Sequence, residues 1–175
     1  MLSQLLTWLS AWPPELAIFI LGAMPIAEIR VAVPIGVGFY HLPVTAAFFW
    51  AWLGNIFAPL VILIFLPWLN KWSRHVPTFN KFLSWLLSHT RSRWLTKHQR
   101  FGEWALLIFV AVPLPFTGAW TAAIAAWLFY YPGLSATRQG RAWWWRALIF
   151  IALGAALAGL FISLVTVGVA AAITG

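Results

Sequence analysis

Apolar residues fill this chain in blocks, and prolines break the blocks more often than charges do. Leu2, Leu5, Leu6, Leu9 and Trp12 recur at helical spacing and predict an amphipathic interfacial segment over 1–12, closed by Pro13-Pro14. Residues 15–24 are apolar behind Glu15 and stop at Pro25, and residues 26–39 form a second apolar arm. At 1.5 Å per residue these arms are about 15 and 20 Å long, short of the ~30 Å hydrocarbon core, so neither spans a bilayer alone. After the turn His41-Leu42-Pro43, residues 44–68 are long enough to cross, and Trp68 and Trp72 mark the exit. Inside that segment Pro59 frees a carbonyl and predicts a kink, and the Asn55 amide needs a partner.

Residues 70–101 differ in kind. Phe79, Phe82, Leu83, Leu86, Leu87, Thr90 and Trp94 share one helical face, while Lys81, Ser84, Ser88 and Arg91 share another. That pattern predicts a basic amphipathic helix, either on anionic headgroups or packed on the protein's own cytoplasmic side. From 103 the first pattern returns. One arm runs from Glu103 to Val112, a tip follows at Pro113-Leu114-Pro115-Phe116-Thr117-Gly118, and a second arm runs from Ala119 to Tyr131, ended by Pro132-Gly133. A loop with Arg138 and Arg141 leads through Trp143-Trp144-Trp145-Arg146 into a last helix over about 147–172. Its Gly154, Ala155, Ala158 and Gly159 make a small-residue face suited to close contact, within the chain or between subunits, so a homo-oligomer stays open.

The recurrence is visible in the letters. Sliding the chain by 88 residues sets Glu15, Ala17, Ile20, Ala23 and Pro25 on Glu103, Ala105, Ile108, Ala111 and Pro113. Each half is then a helical hairpin plus a spanning helix (15–68 and 103–174), and the single crossing between them makes the copies inverted. The predicted fold is an all-α integral membrane protein in one domain, an inverted repeat of re-entrant hairpin plus transmembrane helix joined by the 70–101 linker.

Composition agrees. The 175 residues are 63% hydrophobic and 8% charged, against about 25% charged in ordinary soluble domains. The net charge of +8 comes from eleven Lys/Arg against three Glu. These bases sit between apolar blocks as topology signals, so a membrane and not nucleic acid is the expected partner. If 103–131 is a re-entrant hairpin, every base except Arg30 lies on one side, as the positive-inside rule asks; both termini and the 41–43 turn then lie outside. The multi-pass protein is expected in the inner (plasma) membrane. The N-terminus has no basic region or clear cleavage site, so no cleaved signal peptide is expected.

Little of the familiar enzyme chemistry is on offer. Without Cys or Asp there is no disulfide, thiolate metal site, Ser-His-Asp triad or Cys-His pair, and His41, His75, His89 and His98 are scattered. No Gly-rich phosphate loop or acidic metal cluster occurs, so no enzyme activity, metal or cofactor is expected. Candidate chemistry gathers at Met24-Pro25-Ile26-Ala27-Glu28-Ile29-Arg30-Val31-Ala32-Val33-Pro34. Glu15 and Glu103 open helical arms and complement the helix dipole; Glu28 has no such local role. A charge at bilayer depth costs at least about 2.5–3.5 kcal/mol, and such groups face a bundle interior or a cavity. Residues i and i+2 do not face each other on a helix, so a Glu28–Arg30 contact requires the break at Pro25 to distort the arm. Two roles, or a mixture of them, stand open for the pair. Arg30 receives an anion while Glu28 carries a proton, or both are structural, Arg30 on freed carbonyls and Glu28 on Asn55 or a backbone donor. At the second tip, Pro113 and Pro115 remove two N–H donors and Gly118 allows a reversal. Thr117 and the following N–H groups offer an anion site or a plain helix cap.

At these residues the chain resembles a known family. Glu28-Ile29-Arg30-Val31-Ala32-Val33-Pro34-Ile35-Gly36, Gly54-Asn55 and Val112-Pro113-Leu114-Pro115-Phe116-Thr117-Gly118-Ala119-Trp120-Thr121 resemble the small multidrug export protein family over roughly residues 15–170. That family is regarded as a distant relative of the DedA/VTT superfamily, whose paired re-entrant hairpins face each other and which translocates or scrambles lipids. Bacterial relatives are implicated in the proton-linked return of undecaprenyl phosphate. The resemblance implies Glu28, Arg30, Asn55 and Thr117 as functional positions, with Phe116 where the family usually has Gly. Together the residues and the resemblance predict a transporter or lipid translocase taking an anionic polyprenyl lipid phosphate with proton linkage. Its binding site is expected at Glu28, Arg30, Asn55, Pro113, Pro115, Thr117 and Gly118. Export of small cationic compounds and a non-transporting membrane scaffold are the alternatives.

Overall fold

The computed structural model describes residues 12–73, 102–112, 118–134 and 143–174. They form six helices: α1 (Pro14–Ala23), α2 (Glu28–Gly38), α3 (Val44–Ser73), α4 (Gly102–Ala111), α5 (Ala119–Leu134) and α6 (Trp143–Thr174). Prolines set most of the boundaries. Pro14 occupies the first turn of α1, where its missing N–H costs nothing, and Pro13 before it is extended (φ −52°, ψ 135°). Met24, preceding Pro25, is also pushed out of the helical region (φ −76°, ψ 138°), so α1 ends there with the Met24 N–H donating to the Ile20 and Leu21 carbonyls. The chain reverses in one tight turn, closed by the Glu28 N–H on the Met24 carbonyl at 3.0 Å.

Two helices carry stretches long and apolar enough to cross a membrane, Val44–Leu66 in α3 and Trp144–Ala172 in α6. The four short helices fall below that length. The structure moves three predicted boundaries. Helix α3 continues to Ser73, so residues 70–73 belong to it; the remainder of the predicted linker, 74–101, lies outside the described residues, as does 1–11. Helix α5 passes through Pro132 to Leu134, since a proline near the end of a helix removes only one bond of an already fraying turn. Helix α6 begins at Trp143, taking in the tryptophan run.

The helices pack in a repeating scheme. Helices α1 and α2 lie against each other and against α3, and α4 and α5 do the same with α6. Helix α2 also touches α6, α5 touches α3, and α3 touches α6. Exchanging the first three helices for the last three leaves this set of contacts unchanged. The close approaches repeat as well. A Cβ at Gly54 would overlap the Phe19 carbonyl, and one at Gly154 would come within 2.7 Å of the Leu107 carbonyl. Phe19 and Leu107 are partners under the 88-residue shift. Between the long helices, the Trp52 indole N–H donates to the Ala152 carbonyl at 2.9 Å.

Two apolar cores follow from this plan. Ala17, Ile18, Leu21, Ile29, Ala32, Val33 and Ala51 pack with Ala158 from the opposite long helix. Leu106, Val110, Ala119, Ala122, Ala126, Ile151 and their neighbours pack with Leu63 in return. The small-residue face of α6 is therefore spent within the chain, with Gly154 on Leu107 and Val110 and Gly159 against Ile29 and Phe48. Outward, Phe57, Val61, Ile64 and Phe65 on α3 and Leu153, Leu157, Leu160 and Leu164 on α6 are exposed. Contiguous apolar surface of that kind is what a lipid environment covers.

Gly54→Ala is expected to lower stability by about 1–3 kcal/mol, because its methyl meets rigid backbone at the crossing. Gly38→Ala, with open space around its Cβ, is expected to be neutral. Thermal unfolding of the two proteins in the same detergent checks this, and equal midpoints would contradict the crossing.

Candidate functional site

The site forms where the turn after α1 meets the start of α5. Glu28 opens α2 with a positive φ of 48°, in the left-handed region that non-glycine residues seldom adopt. The sequence asks for a distortion at Pro25 to turn Glu28 toward Arg30; the unusual dihedral falls instead at Glu28 itself. It sends the carboxylate away from its own helix and toward the other half of the protein. There the carboxylate accepts hydrogen bonds from the backbone N–H groups of Ala119 and Trp120, the first two residues of α5. Of the partners the sequence left open for Glu28, the backbone donor is the one present.

Helix α5 needs such an acceptor. Its N-cap is Gly118, which has no side chain to receive the orphan N–H groups of the first turn. Thr121 partly replaces a cap from within, its hydroxyl bonded to both the Gly118 N–H (3.0 Å) and the Gly118 carbonyl (2.9 Å). Glu28 supplies the rest from α2. A Cβ at Gly118 would overlap the Glu28 carboxylate, so glycine is what lets the two come together. The join is reciprocal: the Trp120 indole N–H donates to the Ala23 carbonyl at the end of α1, at 2.9 Å.

Glu28 is buried at 8% exposure, and Arg30 is near enough for the two charges to interact. Helix α2 holds Pro34 four residues after Arg30, and a proline has no N–H for the Arg30 carbonyl. Asn55 stands in the same relation to Pro59 in α3. Asn55 is 1% exposed and its side-chain Oδ1 has no hydrogen-bond partner. Its neighbour Gly54 packs against Phe19 and the Ala23 nitrogen, which places Asn55 level with the end of α1.

Of the predicted site residues, the structure brings Glu28, Arg30 and Gly118 together and sets Asn55 at their level. Pro113, Pro115 and Thr117 lie outside the described residues. Sequence reasoning missed Trp120 and the Ala119 N–H as partners of Glu28. The available signal was a bare glycine N-cap in a chain with one acid left unassigned. Among the described residues no group of three His, Cys, Asp or Glu is placed to hold a metal.

This arrangement defines an all-helical membrane protein with a carboxylate buried where one short helix ends and another begins. A family model described as "Putative small multi-drug export protein" matches residues 28–165. The chain belongs to that family of transporter-like proteins. No curated protein and no solved structure matches it.

An unpaired buried amide oxygen costs about 1–3 kcal/mol, whereas an apolar group of like shape costs little. Asn55→Leu is therefore expected to unfold at the same or a higher temperature than the parent. A clear loss of stability would reveal a partner for the amide.

Proposed function

We propose that this protein moves an amphiphilic anion, a lipid phosphate of the polyprenyl type, across the membrane, with proton uptake at Glu28 linked to passage. The observation that carries the reading is the Glu28 carboxylate, buried in an apolar protein where α1 ends and α5 begins, with half-buried Arg30 near enough to act on its charge. Burying charge is expensive and is retained where it does work. Arg30 is the group that meets the phosphate, and the Asn55 amide bonds a polar part of the headgroup. Gly118 stands opposite, against the Glu28 carboxylate, and Pro113, Pro115 and Thr117 join the site by the sequence reading alone. Ile26, two residues from buried Glu28, is 92% exposed, and Pro25 is exposed beside it. The polar site thus borders an open apolar edge, along which the tail of an amphiphile stays in lipid.

The same reading makes the α1–α2 and α4–α5 pairs re-entrant hairpins that meet near the bilayer midplane, and the two halves an inverted repeat. Short helices, about 15 Å long for α1, α2 and α4 and about 24 Å for α5, and the contact scheme common to both halves support it. The relationship to DedA-like lipid translocases and the inner-membrane location belong to this proposal too. Export of small cationic compounds is the second reading, favoured by the family description; there Glu28 binds cation and proton in turn.

In proteoliposomes, Arg30→Ala is expected to reduce translocation of an anionic polyprenyl phosphate at least tenfold in a protein that still folds. Undiminished flux would sink the lipid-phosphate reading. Cation export abolished by Glu28→Gln and indifferent to Arg30→Ala would establish the second.

The hairpin topology has its own test, because the chain is free of cysteine. Single cysteines replacing Ser84 and Ser135 are expected to react with an impermeant thiol reagent from the same side of the membrane. Labelling from opposite sides would rule out a re-entrant second hairpin.

A further inference from the structure

Two hydrogen-bonded links join the turn after α1 to the start of α5, and they differ in kind. Glu28 holds the Ala119 and Trp120 N–H groups through an ionic acceptor, whereas the Trp120 indole holds Ala23 through a neutral carbonyl. Charge-assisted bonds are roughly twice as strong as neutral ones, and they weaken when the charge is removed. The carboxylate also sits at the positive end of the α5 dipole, a second favourable term that depends on its charge. Opposing both is the backbone of Glu28. A left-handed conformation in a non-glycine residue is strained and persists only where its surroundings hold it. The grip on α5 is what holds this one.

We propose that Glu28, Gly118 and Trp120 form a charge-operated latch between the two halves. While Glu28 is ionised, the start of α5 is drawn against α2 and the site is closed. When a proton from water adds to a carboxylate oxygen, the negative charge is lost, no covalent bond of the protein breaks, and the Ala119 and Trp120 N–H groups lose their ionic acceptor. The strained turn then relaxes, and the Trp120–Ala23 bond keeps the parted ends in register. Gly118 is the clearance through which the carboxylate enters and leaves. This rests on the reading that Glu28 takes up a proton during transport, and it names the movement which that proton releases.

The charged group that acts on Glu28 is Arg30, on its own helix. Among the described residues, the remaining titratable groups around the site are Glu15 in α1, Tyr40 and His41 just past the far end of α2, Lys71 in α3, Glu103 in α4, Tyr130 and Tyr131 in α5, and Arg146 in α6, all toward the helix ends away from the contact. Glu28 is thus the group whose charge sets the latch.

Amide hydrogen exchange on the full chain in lipid nanodiscs reads the latch without any substrate. At pH 7.5, the segment Gly118–Thr121 is expected to lose protection about tenfold or more in Glu28→Gln, the fold-change expected when a charge-assisted bond becomes a neutral one. The Trp52 crossing serves as the unchanged reference. Gly118→Ala, which leaves Glu28 and Arg30 in place, is expected to open the same segment. Should Glu28→Gln fail to fold, the wild-type protein decides: protection of this segment, corrected for intrinsic exchange, falls between pH 8 and pH 5. Equal protection in Glu28→Gln and wild type overturns the latch, and so does a flat wild-type profile where that is the deciding measurement. A protected Gly118→Ala removes Gly118 from it. Flux that needs Glu28 with no change in exchange defeats the latch and keeps the transport reading. Exchange that switches with no flux keeps the latch and defeats transport.

Discussion

Short helices have ends, and in this protein the ends of α1 and α5 lie inside it. Every helix leaves four N–H groups at its start and four carbonyls at its finish without intrahelical partners. Where water is excluded, those groups must find protein partners or cost several kcal/mol each. The chain meets this need by exchange. The finish of α1 receives the indole N–H of Trp120 from the second half, and the start of α5 receives the carboxylate of Glu28 from the first. Neither half completes its own backbone bonding, so the two are obliged to fold against each other.

That exchange explains which parts of the molecule could be read from the sequence. Prolines act locally, and the arms bounded by Pro13-Pro14, Pro25 and Pro43 stand within a residue or two of their expected places. Glu28 was singled out by elimination, as the acid not assigned to a helix start; the structure makes it the first residue of α2 after all, yet sends its carboxylate to the start of α5. Its partners were not legible, because backbone N–H groups carry no letter. Gly118 had been assigned to a tight reversal, whereas its use is to clear space for a carboxylate from a distant helix. Trp120 was one of fourteen tryptophans, most naturally taken for packing or an interfacial anchor. Only the fold shows that both its backbone and its ring reach the first half. The far boundary of α5 was misplaced because Pro132 was read as a stop, although near a helix end it forfeits a single bond.

The same geometry bears on why the packing repeats while the chemistry does not. Gly54 with Phe19 has its counterpart in Gly154 with Leu107, and Trp52 meets Ala152 between the long helices. Yet the positions that answer to Glu28 and Arg30 under the 88-residue shift are Phe116 and Gly118. Likewise Asn55 and Pro59 in α3 stand one hundred residues before Ala155 and Gly159 in α6, so the polar amide and the helix-loosening proline also belong to the first half alone. Small residues and backbone contacts match between the two halves; ionisable and polar groups do not.

Electrostatics gives a reason for that division. A second carboxylate set beside Glu28 would bring two like charges together, a pairing in which one of them cannot stay ionised. A single carboxylate faced by a helix start avoids the conflict. The opposing half then offers N–H groups and the positive end of a dipole, which neutralise the acid without adding a second titrating group. The arrangement demands a residue without a side chain at the start of that helix, and Gly118 meets the demand. A single acid faced by a bare helix start is thus the condition under which this packing keeps one charge buried and answered.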